Sequence, residues 1–317
     1  MTILMVFLAS CYEPISNTAE NTPRDDPGGY TESQSASTPD MEKETKENGP
    51  SETGEDLNVG PVAGGFRNNV EANLKRRGLE MSSVVNESDP VERRVLSEYG
   101  AVFLTTAMPP SKVLFPSEPE VEAFQARAGS ESAVIGGAKV ELQPEALAAL
   151  KEAIAEASAK GLSITPRDGE EASKRSFSKT LELWNSRFLK ACDHWVSKGR
   201  LSKDDASRLK GLPIGKQVGE VLELEKRGIY FNTFFNNTIL SSVAAPGTSQ
   251  HISMLAFDAS EFKDPAVREI MARHGWFRTV QNDEPHFTYL GRKESDLKAF
   301  GLKKVTANGG QYWVPDI

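Results

Sequence analysis

Four histidines occur in this chain of 317 residues, and two of them sit among other metal-capable side chains. The first lies in Ser249-Gln250-His251-Ile252-Ser253-Met254-Leu255-Ala256-Phe257-Asp258, the second in Asp283-Glu284-Pro285-His286-Phe287-Thr288-Tyr289-Leu290-Gly291. Imidazole and carboxylate together bind borderline divalent cations. The two cysteines, Cys11 and Cys192, can form neither a Cys-rich zinc site nor a disulfide framework, so any metal must be held by His, Asp or Glu. Geometry restricts how the first segment could work. On a helix His251 and Asp258 would share a face but stand about 10.5 Å apart along the axis. On a flat strand they would point to opposite faces. Both reach one ion only if the chain bends between them, as Pro246-Gly247 and the small residues Ser253 and Ala256 permit. His286, from a separate hairpin, would be the third donor. Two His and one carboxylate with a water in the fourth position make an open tetrahedral zinc site. His194, beside Trp195, and His274 are read as packing or surface histidines.

These two segments resemble the motifs of D-alanyl-D-alanine carboxypeptidases of the VanY type, zinc metallopeptidases that carry Ser-x-His-x-x-Gly-x-Ala-x-Asp followed by Glu-x-x-His. Ser249, His251, Ala256 and Asp258 match the first pattern, with Met254 in place of the glycine. His286, Phe287, Tyr289 and Gly291 are similar to the family strand His-Phe-x-Tyr-x-Gly. The resemblance covers roughly residues 144–291 and implies that His251, Asp258 and His286 hold Zn2+. It departs at the glutamate position, which is Asp283 with Glu284 one step later, and at the tryptophan before the last histidine, which is Pro285. Asp283 or Glu284 is therefore the candidate base. The family's arginine for the substrate carboxylate has two candidates. One is Arg175 in Lys174-Arg175-Ser176-Phe177, with Thr180 where a glutamine is usual, and the other is Arg167. A planar guanidinium fork suits a carboxylate. Ser249 joins them as a substrate-side residue.

The resemblance implies zinc-dependent hydrolysis of peptidoglycan stem peptides, with removal of terminal D-alanine expected first. A stem-peptide endopeptidase with the same zinc core is one alternative. A silent cell-wall-binding lipoprotein, favoured by Met254, Pro285 and Asp283, is the other.

The elements that must position these residues are mixed. Pro144 and the spacing of Leu147, Leu150, Ile154 and Ala157, closed by Gly161, predict a helix over 144–160. A second helix is expected over 173–196, with Cys192 as a buried small hydrophobe beside its apolar stripe. Shorter helices are expected over 118–128 and from Asp264-Pro265 to Gly275. Strands are expected at 102–104, 162–165, 276–280 and 286–290. Without a regular β-α repeat, the fold class is α+β: a small mixed or antiparallel sheet flanked by helices around the zinc site.

The net charge of −8 is unevenly distributed. Residues 12–60 hold 12 acidic against three basic side chains, so residues 61–317 sum to +1. That near-neutral remainder has no basic stripe and argues against a nucleic-acid partner. Residues 12–60, with eight apolar residues in 49, bury too little to offset ordering and are expected to be a disordered acidic stalk. Ahead of them, the apolar run at 3–9 is too short for a bilayer, which needs about 20 residues. Leu8-Ala9-Ser10-Cys11 resembles a bacterial lipobox. Residues 1–11 are thus expected to be a lipoprotein-type signal, with a lipid anchor at Cys11 holding the protein at the cell envelope and facing the periplasm or exterior. Residues 61–90 are expected to be transitional, with Lys75-Arg76-Arg77 as a solvated patch, and 91–317 to form the zinc peptidase-like domain.

Overall fold

The structure, a computed structural model, describes residues 60–317. The lipobox at Cys11 and residues 12–59 of the stalk lie outside them. Helix α1 (Gly65–Lys75) turns Phe66, Val70 and Leu74 inward at a four-residue spacing, and the short α2 (Met81–Val84) adds Met81 and Val84. The core therefore starts within the stretch expected to be transitional. Phe66 runs so close to Gly301 that a Cβ there would stand 2.0 Å from the Phe66 nitrogen. The basic patch differs from expectation as well. Arg77 folds back half-buried and donates to the carbonyls of Asn73, Thr105, Thr106 and Ala107.

Asp89 caps α3 (Pro90–Tyr99) and Pro90 opens it. Residues 102–104 wind into a buried 3₁₀ turn, Gly100–Leu104, where a strand was expected. A short apolar run reads alike in both forms. Here its carbonyls are met by side chains, Asn73 on Phe103 and Arg292 on Leu104, and no strand pairs with it among the described residues. Helix α4 (Glu118–Ala128) forms where expected. Hairpin strands β1 (Glu131–Ile135) and β2 (Ala138–Leu142) lead into α5 (Pro144–Ala159).

Helix α6 (Phe177–Ser197) starts later than Ser173, because the Ser176 hydroxyl accepts from the Lys179 N–H. The Glu118 carboxylate, reaching over from α4, accepts from the N–H groups of Phe177 and Ser178. Two further orphan donors of α6 are thus satisfied from outside the helix. Cys192 is buried in α6 as expected, and burial pushes its thiol up to about 11. Helices α7 (Lys203–Lys210) and α8 (Ile214–Lys226) pack beyond it.

Strand β3 (Ala256–Asp258), helix α9 (Pro265–Arg273), β4 (Trp276–Phe277) and β5 (His286–Tyr289) complete the site's scaffold. They form an antiparallel sheet in the order β3-β5-β4. Strand β4 ends at 277, short of the expected 280. The strand expected at 162–165 is absent. Glu261 takes the Thr165 N–H and hydroxyl, leaving an isolated bridge between Pro166 and Ala259. A last hairpin, β6 (Leu302–Ala307) and β7 (Gly310–Pro315), closes the chain. Small antiparallel sheets among helices make the fold α+β, as expected. Among the described residues no helix is long and apolar enough to cross a membrane.

Candidate metal centre

Alternation along β5 sends Phe287 and Tyr289 to one face and His286 and Thr288 to the other. Register then sets the second donor, because Asp258 on β3 stands directly opposite His286. Directly paired residues have Cβ atoms about 4.5–5.5 Å apart and share a face. His251 comes from the 3₁₀ turn Gln250–Ser253, just before β3. The bend it needs falls at Met254, whose φ of 56° and ψ of 32° are left-handed. Gln143 fixes this turn, its backbone N–H donating to Met254 O (3.1 Å) and its amide to Ser253 O (2.8 Å). Met254, which stands where the resembled motif has glycine, is the residue that adopts glycine-like backbone geometry. Buried side-chain packing at Met254 (0 % exposed) offsets the strain, about 1–2 kcal/mol for a single left-handed residue.

The three donors converge. His251 Nε2 lies 3.1 Å from His286 Nδ1 and 3.3 Å from Asp258 Oδ2, and His286 Nδ1 lies 3.2 Å from Asp258 Oδ1. The outer ring nitrogens are committed. His251 Nδ1 is 2.9 Å from the Ser173 carbonyl, which can only accept, so this nitrogen carries the proton. His286 Nε2 is 2.9 Å from Gln250 Oε1. The orientation of that amide is set on its far side, where Gln250 Nε2 donates to Tyr99 O (2.9 Å). His286 therefore donates from Nε2, and its Nδ1 is bare. Burial pushes His251 down to about 4, so it is neutral at physiological pH. Burial alone would raise Asp258, but the charge and hydrogen bonds that His251 and His286 offer it when those rings are protonated more than offset burial and hold the carboxyl well below its usual range.

Three lone pairs thus face one another, buried, with no proton between them. That arrangement is repulsive unless a cation sits among them, and the donor set of two imidazoles and one carboxylate suits zinc. His251, Asp258 and His286 form a group that could hold a metal ion, with donor atoms all within 4.8 Å of one another. The other described histidines are engaged elsewhere. His194 stacks on Phe235 at 4.1 Å, and His274 lies 2.9 Å from a Glu156 oxygen.

A cavity of about 270 Å³ opens on the centre, with His251, His286, Ser249, Arg175 and Asp283 on its walls. Asn282, at φ 70°, turns the chain ahead of β5, and the His286 N–H meets Asp283 O at 3.4 Å. This turn brings Asp283 round to the metal side, which a straight arm could not do. Glu284 is not among the cavity-lining residues. The Asp283 carboxyl is pushed above its usual range, first by the protein packed around it and then by Asp258, against the pull of His286 and Arg175. Its side chain still opens to solvent, which moderates the rise.

The two candidate arginines separate. Arg175 is part-buried and pairs with Asp258 Oδ2 at 2.8 Å. The Arg167 guanidinium lies over the Phe262 ring at 5.3 Å, and only its backbone N–H reaches Asp258, through the carbonyl. Thr180 lines the cavity and accepts from the Gly247 N–H.

Sequence reasoning missed Gln250, Ser173 and Gln143, which orient the ligands without touching a metal. Only Gln250 left a signal, as a buried polar residue inside the motif. Arg187, on the cavity wall, was missed because it looks like any charge on a long helix.

No family model matches the chain, and no curated protein matches it. Solved structures with a partial likeness include an alanine mutant of the vancomycin-resistance D,D-pentapeptidase VanY from the VanB-type cassette, in complex with Zn(II). It is 18% identical, with a TM-score of 0.31, and the match covers 56% of this chain and 86% of that one. VanYB in complex with D-alanine-D-alanine gives 18% and 0.31, covering 56% of this chain and 85% of that one. At that identity and score the likeness carries no weight, and the centre stands on its own geometry.

Proposed function

We propose that this chain is a zinc-dependent peptidase acting on peptidoglycan stem peptides, releasing a terminal D-alanine, and that a lipid at Cys11 anchors it at the cell envelope. The observation that carries the hydrolytic part is the convergence of three buried, unprotonated donors at a cavity whose wall presents Asp283. The D-alanyl substrate is supported by the motif resemblance of residues 249–258 and 286–291. Bound zinc would polarise a peptide carbonyl and acidify a water. Asp283 accepts the proton of the attacking water and returns it to the leaving amine. Arg175, held by Asp258, positions the peptide at the mouth of the centre, and Ser249 offers a hydroxyl beside it.

One feature favours the endopeptidase alternative. A second cavity of about 410 Å³ shares Tyr99, Leu240, Ser241, Val280, Gln281 and Asn282 with the first, giving room for a longer peptide. The deciding experiment is metal analysis of the purified protein together with product analysis on a stem pentapeptide. One zinc per chain and free D-alanine are expected, and both should be lost in His251→Ala. Full zinc retention in that variant would remove the ligand assignment, and a dipeptide product without free D-alanine would select the endopeptidase.

A further inference from the structure

Where the end of β4 meets β7, the Trp313 N–H donates to the Arg278 carbonyl at 2.9 Å, and a cavity of about 320 Å³ opens beside them. It shares no lining residue with the metal-side cavity. Phe287, which alternation along β5 turns away from the metal, lies in its wall with Trp276 and Phe277, all three buried. The charged groups around this aromatic wall are engaged, with one exception. Arg268 donates to the carbonyls of Phe262 and Lys263. Lys304 pairs with Glu294 at 2.7 Å, and Glu294 also accepts from Trp313 Nε1. Glu269 is exposed.

Arg278 is the exception. It is only 8 % exposed, yet its side chain makes no ion pair and no hydrogen bond among the described residues. Its guanidinium stands 4.7 Å from the Tyr312 ring centroid. That contact orients the group but gives its five N–H donors no oxygen to bond. Gly310 makes room for it, since a Cβ there would lie 2.9 Å from Arg278 Nη2. Burial pushes the guanidinium below its ordinary value and Arg268 adds to this, while Glu284 pulls the other way without pairing with it. Arginine keeps its proton all the same, so a desolvated charge is left unanswered, and such a group in a native structure calls for an explanation. Its nitrogens are not sealed off, unlike Trp276 Nε1 and Tyr312 Oη, so a ligand in the cavity can reach them. Arg268, Arg278 and Lys304 against Glu269 and Glu294 leave one positive charge on the walls. With the other two cations committed, a single fork remains, and two coplanar oxygens match it better than the four of a phosphate.

We propose that this cavity is a second ligand site, binding the carboxylate of a small organic acid through Arg278, with the acid's apolar body against the aromatic wall. It lies apart from the metal centre and does not depend on the peptidase reading.

The test is a titration of the zinc-loaded full chain, labelled with ¹⁵N at its four tryptophans, and read through their indole N–H signals. Trp276 and Trp313 line the cavity. Trp184 and Trp195, bonded to Gln217 and to the Tyr230 carbonyl, report on the fold elsewhere. Phenylacetate is the probe, phenylacetamide its uncharged counterpart and diethyl phosphate the competing anion. Phenylacetate is expected to shift the Trp276 and Trp313 signals saturably, with Kd on the order of 1 mM for so small a ligand, and at least about tenfold more tightly than the amide. Arg278→Gln should abolish that preference, and Arg278→Lys should keep part of it, since a point charge lacks the fork. Should Arg278→Gln displace the Trp184 and Trp195 signals before any ligand is added, Arg278→Lys carries the comparison. Equal binding of acid and amide by the wild type, no saturable shift, or a preference undiminished in Arg278→Lys and Arg278→Gln overturns the proposal. Tighter binding of diethyl phosphate than of phenylacetate overturns the assignment to carboxylates.

Discussion

At the scale of single residues, the centre is defined as much by what holds the donors as by the donors. Gln250 is the clearest case. Its carbonyl takes the His286 proton and also accepts from the Thr288 hydroxyl, while Thr279 bonds Thr288 at 2.7 Å. Gln250→Leu removes the acceptor that keeps His286 Nδ1 bare. Zinc affinity, measured by competition with a chromophoric chelator, is expected to fall about 10–100-fold, the usual effect of losing a partner behind a metal-bound histidine. Unchanged affinity would show that the ring needs no such partner. For the base, Asp283→Asn should retain zinc and lose about 100-fold or more in kcat, whereas Glu284→Gln should stay near wild type. The opposite pattern would place the base on Glu284. The group that could hold a metal was legible in the sequence because His251 and His286 are two of only four histidines and Asp258 shares a spaced motif with the first. Spacing favoured Asp283 over Glu284, since it stands three residues before His286, but did not reveal the turn at Asn282 that puts Asp283 on the cavity wall.

At the scale of elements, the ligand turn depends on contacts with the hairpin and the segment before α6. Glu141 on β2 pairs with Lys174 at 2.7 Å, one residue before Arg175, and its backbone N–H donates to the Ser173 hydroxyl. The Lys174 hydrogen bond, assisted by Ser130 and Lys139 against partial burial, lowers the Glu141 carboxyl to about 2. Because the folded value is depressed, its stabilisation is present above the ordinary value of 4.5 and fades as pH falls toward 2. Glu141→Gln should therefore cost about 1 kcal/mol at pH 7 for this part-exposed pair. The gap between variant and wild type in denaturant melts should narrow below pH 4.5 and close only at about pH 2. A gap that persists there would mean the loss is not electrostatic. Helices were read well where a proline marks the start, as at Pro144 and Pro265. Short apolar runs were not. Residues 102–104 became a 3₁₀ turn and residues 162–165 an irregular segment, because side chains of Asn73, Arg292 and Glu261 took the backbone groups that a strand partner would have used.

At the scale of the whole molecule, the apolar content of the sequence placed the start of the dense core too late. Phe66, Val70, Leu74 and Met81 are all buried ahead of Val91. A chain beginning at residue 60 is expected to melt within a few degrees of the full-length protein. A chain beginning at residue 91 should lose more than about 4 kcal/mol, since several large side chains leave the core together. Differential scanning calorimetry of the two truncations separates these outcomes, and a cooperative, unshifted melt of the shorter chain would show that α1 is dispensable. The packing of α1 against Gly301 also sets an order in time. The Asn69 amide reaches the Ala299 carbonyl across 230 residues of intervening chain. At 5–20 residues per second, a growing polypeptide needs roughly 10–50 s to supply that partner. Phe103 and Thr105 reach Asn73 early in that interval, but the end of the first helix that meets residues 299–301 stays uncovered until its close, a natural target for a chaperone.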